Sequence, residues 1–193
     1  MAIIAPSGIT VEIDGLGTEI SPRITAAVVT LRAPELGDGA VIGVDDPSGM
    51  TALPRHGAGM RIAIADSEVF RGRIVRVGGE GTDRGQTLQL VGTAQGSPPA
   101  ADLPPHVFIW GQNLVTWNLT AELEQPHPPG SQGDTTLDAG VLAVTVHPAV
   151  RPGMKITVVG VRAPFDGDYV VETVTHTFNL GAGFSTSLRI RRP

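Results

Sequence analysis

The chain has no cysteine, a single lysine at Lys155, and aromatic side chains at only 4% of its 193 residues. Without cysteine there are neither disulfides nor thiolate metal sites, which fits a cytosolic origin and leaves an extracellular destination open. A net charge of −5 with no basic run offers nucleic acid no electrostatic footing, so no specific nucleic-acid binding is expected. No apolar run is long enough to span a bilayer, and the opening MAIIAPSG has neither a charged leader nor a long apolar core. A soluble protein with no membrane contact and no secretion address is expected. An amphipathic helix of three turns is also missing.

What the chain does have is 25 glycines and 16 prolines set between short β-branched runs, the composition of a mainly β protein. Over 22–31 a helix beginning near Pro22 competes with a strand. Thr25, Val28, Val29 and Thr30 are β-branched, which favours the strand. Residues 165–190, FDGDYVVETVTHTFNLGAGFSTSLRI, read as a hairpin. Val170, Val174, Phe178 and Leu180 form an apolar face against Val171, Thr173, Thr175, Thr177 and Asn179, and the alternation resumes after Gly181–Gly183 with Phe184, Leu188 and Ile190.

The sequence repeats itself. Residues 54–91 and 148–190 align by eye: Gly59-Met60-Arg61-Ile62 answers Gly153-Met154-Lys155-Ile156, Phe70-Arg71-Gly72 answers Phe165-Asp166-Gly167, and Thr87-Leu88-Gln89-Leu90 answers Ser187-Leu188-Arg189-Ile190. Each copy is a strand, a Phe-x-Gly turn, and a long hairpin. The glycine two residues past each phenylalanine permits the bend or bulge that a rolled sheet needs at its corners. Two similar small β-barrel domains are therefore expected, the first over 1–96 and the second over 141–193. A Pro-rich connecting segment over 97–140 joins them, with the apolar stretch HVFIWGQNLVTWNLTAELE inside it carrying Trp110 and Trp117. That stretch is too apolar for a free linker and is expected to complete a sheet or pack on a partner protein.

Little chemistry is visible. His56, His106, His127, His147 and His176 have no metal-binding spacing, and no nucleophile elbow, phosphate loop or zinc-protease motif occurs, so no enzyme activity, metal or cofactor is expected. His176 projects with Val174 and Phe178 and reads as a buried structural histidine. Glu172 falls on the same face, too far along the strand for contact. Asp45 and Asp46 before Pro47, and Asp166 and Asp168 about Gly167, are explained by turns. Arg71, Arg73 and Arg76 around one strand, and Arg189, Arg191 and Arg192 around the corresponding late strand, are either solvated faces or partners for carboxylates between subunits.

The segment RPGMKITVVGVRAPFDGDYVVETVTHTFNLGAGFSTSLRIRR resembles the closing segment of phage late control protein D and related baseplate hub proteins, with its R-P-G strand, F-x-G-x-Y turn, V-x-H strand and G-[FY]-x-T strand in order. LPRHGAGMRIAIADSEVFRGRIVRV resembles that family's first barrel, and FIWGQNL resembles the G-x-N-L segment found in the middle of its members. This resemblance implies a tail-tube-like double-barrel hub of a contractile phage tail or related injection machine. It would be a homotrimeric adaptor joining a hexameric tail tube protein to a trimeric spike protein and lining the channel, with the tape measure and other baseplate proteins as further neighbours. It would be made in the host cytoplasm and located in the tail baseplate of the virion. Six barrels in three copies would then reconcile threefold with sixfold symmetry. Phe70, Gly72, Phe165, Gly167, Tyr169, His176, Trp110, Trp117 and Arg189 are the structural and interface candidates. The threonines at odd positions of the late hairpin are expected to face the channel or a neighbour. This sequence departs from the family pattern in having only about forty residues between its barrels. The alternative is a glycan- or peptide-binding β module of the adhesin type, in which exposed Trp110 and Trp117 would do the binding.

Overall fold

A computed structural model of the protein describes residues 8–94 except 19, 34, 48, 50, 83 and 84, residues 106–122, and residues 136–193 except 146, 163 and 164. The described elements are β1 (Ile9–Ile13), a 3-10 turn (Ser21–Arg23), β2 (Ile24–Leu31), β3 (Asp38–Asp45), β4 (Gly59–Ile64), β5 (Ser67–Thr82) and β6 (Gly85–Ala94). They continue with β7 (His106–Ile109), β8 (Leu114–Glu122), β9 (Thr136–Val144), β10 (Lys155–Val159), β11 (Gly167–Asn179) and β12 (Gly183–Arg191). The segment that begins at Pro22 resolves into one short turn and then a strand, because proline suits the turn's first positions and the β-branched residues after it suit the sheet. The Pro-rich flanks 97–105 and 125–134 lie outside the described residues.

Strand order shows the duplication directly. The first six strands lie side by side as β1-β4-β5-β6-β3-β2, and the last six as β7-β10-β11-β12-β9-β8, the same permutation. The bulges repeat as well: one between Ile24 and Ala26 in β2 answers one between Leu114 and Thr116 in β8, and one between Ile74 and Arg76 in β5 answers one between Val171 and Thr173 in β11. Backbone bonds match across the halves. Ile74 exchanges hydrogen bonds with Gly57 and Ala58 at 2.7 and 2.9 Å, and Val171 does so with Gly153 and Met154 at the same distances. One pairing differs, since β1 is antiparallel to β4 whereas β7 is parallel to β10. The Trp-containing stretch forms β7 and β8, so the segment expected to connect the barrels supplies strands to the second sheet.

Pairing also sets the true equivalences. Val44 answers Val144, Leu90 answers Leu188 and Met60 answers Ile156, whereas the alignment by eye is displaced by two residues along each strand. A two-residue displacement keeps every side chain on its face, so apolar alternation cannot detect it. The Phe-x-Gly turns are consequently not equivalent. Phe70 and Gly72 occupy the register places of Gly167 and Tyr169, so ring and glycine have exchanged positions between the halves. In the first half a Cβ on Gly72 would collide with the Thr93 carbonyl oxygen and lie 2.6 Å from Phe70 Cζ. In the second half the Tyr169 ring is buried, and its hydroxyl donates to the Phe165 carbonyl at 2.7 Å.

The late hairpin forms as expected, but with a change of phase. The bulge at 171–173 inserts one residue into the alternation, so Tyr169 and Val171 face inward before it and Val174, His176 and Phe178 after it. Val170, expected on the apolar face, is therefore half-buried, Glu172 does not share the face of His176, and Leu180 is exposed in the turn.

The sheet interior is filled by alternate residues of each strand, such as Val11, Ile42, Ile62, Ile74, Leu142, Ile156, Val174 and Leu188, all essentially inaccessible. Each such side chain contributes roughly 1.5–3 kcal/mol by burial. Ser21 ties the outer strands of the first unit together: its hydroxyl accepts from Val11 N–H at 2.9 Å and donates to Val11 C=O at 3.0 Å, linking β1 to the turn that starts β2. In the second unit Asn113 acts similarly, accepting from Ile109 N–H at 2.7 Å and donating to Val107 C=O at 3.0 Å in the loop between β7 and β8.

Gly72→Ala should lower unfolding free energy by about 1–3 kcal/mol through overpacking. Gly78→Ala, where a Cβ meets nothing within 4 Å, should leave it unchanged or raised by about 0.4–1 kcal/mol. Urea unfolding of both variants checks the contrast.

Candidate assembly interface

The two six-stranded units are joined by one antiparallel pairing, β2 on β11, running from Leu31 opposite Val174 to Ala26 opposite Asn179. The sheet is therefore hydrogen-bonded continuously from β1 to β8. On the inner side of this joint the small Ala27 lies opposite the large Phe178, whose ring packs on Phe184 at 4.8 Å between centroids. Val29 lies opposite His176.

His176 is buried, with Nδ1 3.0 Å from the hydroxyl of Thr186, and that hydroxyl also accepts from the His147 backbone N–H at 3.4 Å. Burial pushes the imidazole down to about 4, helped by the positive fields of Arg151 and His147. It is neutral at physiological pH. Nε2 has no partner among the described residues. His147 is itself lowered, mainly by burial and secondarily by His106, whose ring lies edge-on at 4.5 Å. Arg151 is a second tie across the halves: one guanidinium nitrogen donates to the Val150 and Pro148 carbonyls and the other to the Glu68 carbonyl of β5 at 2.8 Å. Arg151 and Thr186 are not among the sequence candidates, although each is a motif position: Arg151 opens R-P-G, and Thr186 closes G-[FY]-x-T as the one polar residue among the inward positions Phe184, Leu188 and Ile190.

The outer face of the joint is chemically plain. One row of register partners runs Gly39, Thr30, Thr175, Ser187, Ala143 and Thr116 across β3, β2, β11, β12, β9 and β8, and a neighbouring row runs Val91, Val41, Val28, Thr177 and Ser185. Both rows are uncharged, small or β-branched, and partly or fully exposed. Charge gathers beyond them. Glu172 accepts ion pairs from Arg189 at 3.4 Å and Arg191 at 3.3 Å, and Glu68 accepts from Arg71 at 2.7 Å and also from Arg61. The Arg71 contact holds the Glu68 carboxyl below its usual range. These arginines thus have carboxylate partners within one copy of the protein, and such exposed pairs contribute no more than about 1 kcal/mol.

The structure does not gather the sequence candidates into one site. Phe70, Gly72 and Tyr169 are packing positions at the matching corners of the two units, and Gly167 opens β11. Phe165 packs against Trp117 at 5.5 Å, and Trp117 lies inward on β8 opposite Leu142, only half-buried. Trp110 is 45% exposed at the end of β7, and Arg189 is on the outer face. Asp46 and Asp166 serve turns: Asp46 is buried and accepts from Thr51 N–H, and Asp166 accepts from Gly160 and Val161 N–H. Among the described residues no group of three or more His, Asp or Glu could hold a metal ion.

Solved structures of other proteins are similar in fold, among them the following three. A tail protein from Neisseria meningitidis MC58 matches with a TM-score of 0.66 at 9% identity, covering 96% of both chains. A tail protein of prophage MuSo2 from Shewanella oneidensis matches at 0.67 and 8% identity, covering 97% of both chains. The protein has the fold of phage tail proteins. A component of the E. coli type VI secretion system, described as structurally similar to the T4 bacteriophage tail proteins gp27 and gp5, matches at 0.63 and 7% identity, over 95% of this protein and 77% of that one. No protein-family model and no curated protein sequence matches.

Because the folded pKa of His176 lies below its unfolded value of about 6.5, the unfolded protein binds the extra proton between these values. Stability from this group is complete above pH 6.5 and is lost as pH falls toward 4. His176→Gln should flatten the stability profile across that window by about 3 kcal/mol relative to the parent. Denaturant unfolding of both proteins at pH 7.5, 5.5 and 4 measures the difference.

Proposed function

We propose that the protein is a structural hub of a contractile tail or related injection machine: a homotrimer that joins a hexameric tube to a trimeric spike and lines the channel between them. The observation that carries this is the duplicated strand order with both units in one continuous sheet. Each copy then offers two equivalent units in line, so three copies offer six, and a threefold object meets a sixfold one without any subunit adopting a second conformation. The tail fold supports the setting. The outer rows of Thr, Ser, Ala, Gly and Val support the conduit, since an uncharged small-residue wall gives passing cargo no fixed charge to bind. The domains on this proposal are 8–94 and 106–193, with the short link between them as the connecting piece.

No observation favours catalysis, and the adhesin alternative gains little: Trp117 is inward beside Phe165, leaving Trp110 as the one exposed tryptophan.

Native mass spectrometry of the purified protein, alone and mixed with tube and spike proteins from the same source, should give a species containing three copies. Averaged images down its axis should show six similar lobes. A monomer under every one of these conditions, or a dimer, would overturn the assignment.

A further inference from the structure

We propose that the first unit carries a docking groove for an acidic segment of another protein, in which Arg73 and Arg76 bind a carboxylate beside the exposed Val75. This goes beyond the hub reading and stands without it, because it concerns a single copy of the protein.

The second unit shows what the groove requires. On either side of the bulge in β11, two cross-strand pairs each carry one arginine: Val170 opposite Arg191 and Thr173 opposite Arg189. The same two register places in the first unit hold Arg73 opposite Thr93 and Arg76 opposite Val91. Both units thus set two arginines about one bulge, on opposite strands of the hairpin. The bulged residue between them differs. Glu172 pairs with Arg189 at 3.4 Å and Arg191 at 3.3 Å, whereas its counterpart Val75 is 39% exposed and brings no charge. Arg73 and Arg76 are exposed and have no carboxylate partner among the described residues. Guanidinium groups are strong, directional binders of carboxylates, and in a protein of net charge −5 two of them left together without an anion suit one from outside.

The grooves beside the two bulges match as well. Pro152, Gly153, Val171 and Glu172 line the second, and His56, Gly57, Ile74 and Val75 line the first. The second is also lined by Ala33, Glu35 and Leu36 of the loop between β2 and β3, so the protein lays an acidic and apolar segment of its own along it. Among the described residues no such segment lines the first, and its volume is about 730 Å³ against about 430 Å³ for the second. Asp14 lines it but accepts from Gly59 N–H at 2.9 Å, and Arg71 on its wall is held by Glu68. The first groove therefore lacks both things the second is given, a carboxylate at the bulge and a chain segment along it. A polypeptide with Asp or Glu next to an aliphatic residue supplies both. Nucleic acid would bring charge without the apolar half, to a protein whose net charge repels it. A second copy has its Glu35–Leu36 segment engaged in its own second groove, which leaves a different protein as the partner.

The probe is the labelled, amidated peptide Ala-Pro-Glu-Leu-Gly-Asp, which copies 33–38, a segment that such a groove already accepts. Followed by fluorescence anisotropy, it should bind the intact protein, and more weakly as salt is raised. Arg73→Gln with Arg76→Gln should weaken binding about tenfold or more by removing both charge-assisted contacts. Val75→Glu should do the same by installing the carboxylate that Glu172 supplies in the second unit. Arg189→Gln with Arg191→Gln, in the groove already lined, should leave binding unchanged, and the uncharged peptide Ala-Pro-Gln-Leu-Gly-Asn should not bind. Binding that follows Arg73, Arg76 and Val75 in this way supports the groove. Binding that ignores those substitutions, or that falls equally with the Arg189 and Arg191 pair, overturns it, as does a lack of binding at millimolar peptide. A short oligothymidylate that displaces the peptide at lower concentration overturns the protein partner in favour of nucleic acid. Self-association of the parent that is lost in Val75→Glu overturns it in favour of a second copy.

Discussion

The pairing of β2 with β11 is the contact on which the rest depends. It turns two rolled sheets into one hydrogen-bonded sheet, puts the uncharged rows of both on a common outer face, and fixes the orientation of each unit relative to the other. The groups beneath it are suited to rigidity. An apolar ring fills the space left by Ala27, a neutral histidine is held by a threonine hydroxyl, and Arg151 links the loop before β10 to the β5 backbone. Directional backbone bonds supply geometry while the side chains exclude water, and neither alone would hold the two six-stranded units at a set angle.

Much of this architecture is written in the alternation of the sequence. The late hairpin, the strand after Pro22, the inward histidine and the internal repeat are all legible because each rests on period-two burial or on β-branching. Three things are not. The register between the halves is hidden, since sliding by two residues leaves every face unchanged. The bulge at 171–173 is hidden as well, because an inserted residue leaves no composition mark, and that is why Glu172 and Val170 lie elsewhere than their spacing suggests. The role of the tryptophan stretch is ambiguous in sequence, as an apolar segment between proline clusters reads equally as strand or docking peptide.

At the interface the same division holds. His176 and the turn aspartates behave as local rules require. Arg151 and Ala27 matter only through what lies opposite them in space, and nothing about an arginine after Val150 or an alanine in a β-branched run announces that. What the solved tail structures share with this protein, at 7–9% identity, is the fold and not the residues along the strands.

The exchange of ring and glycine between Phe70–Gly72 and Gly167–Tyr169 bears on how the two halves have drifted apart. Copying Gly167–Tyr169 over Phe70–Gly72 in register during recombination would set a ring at position 72, where even a Cβ collides with the Thr93 carbonyl oxygen, leaving that corner crowded. Selection would then remove such events, and the duplicated halves would be kept from homogenising, so that each is free to specialise in the neighbour it meets.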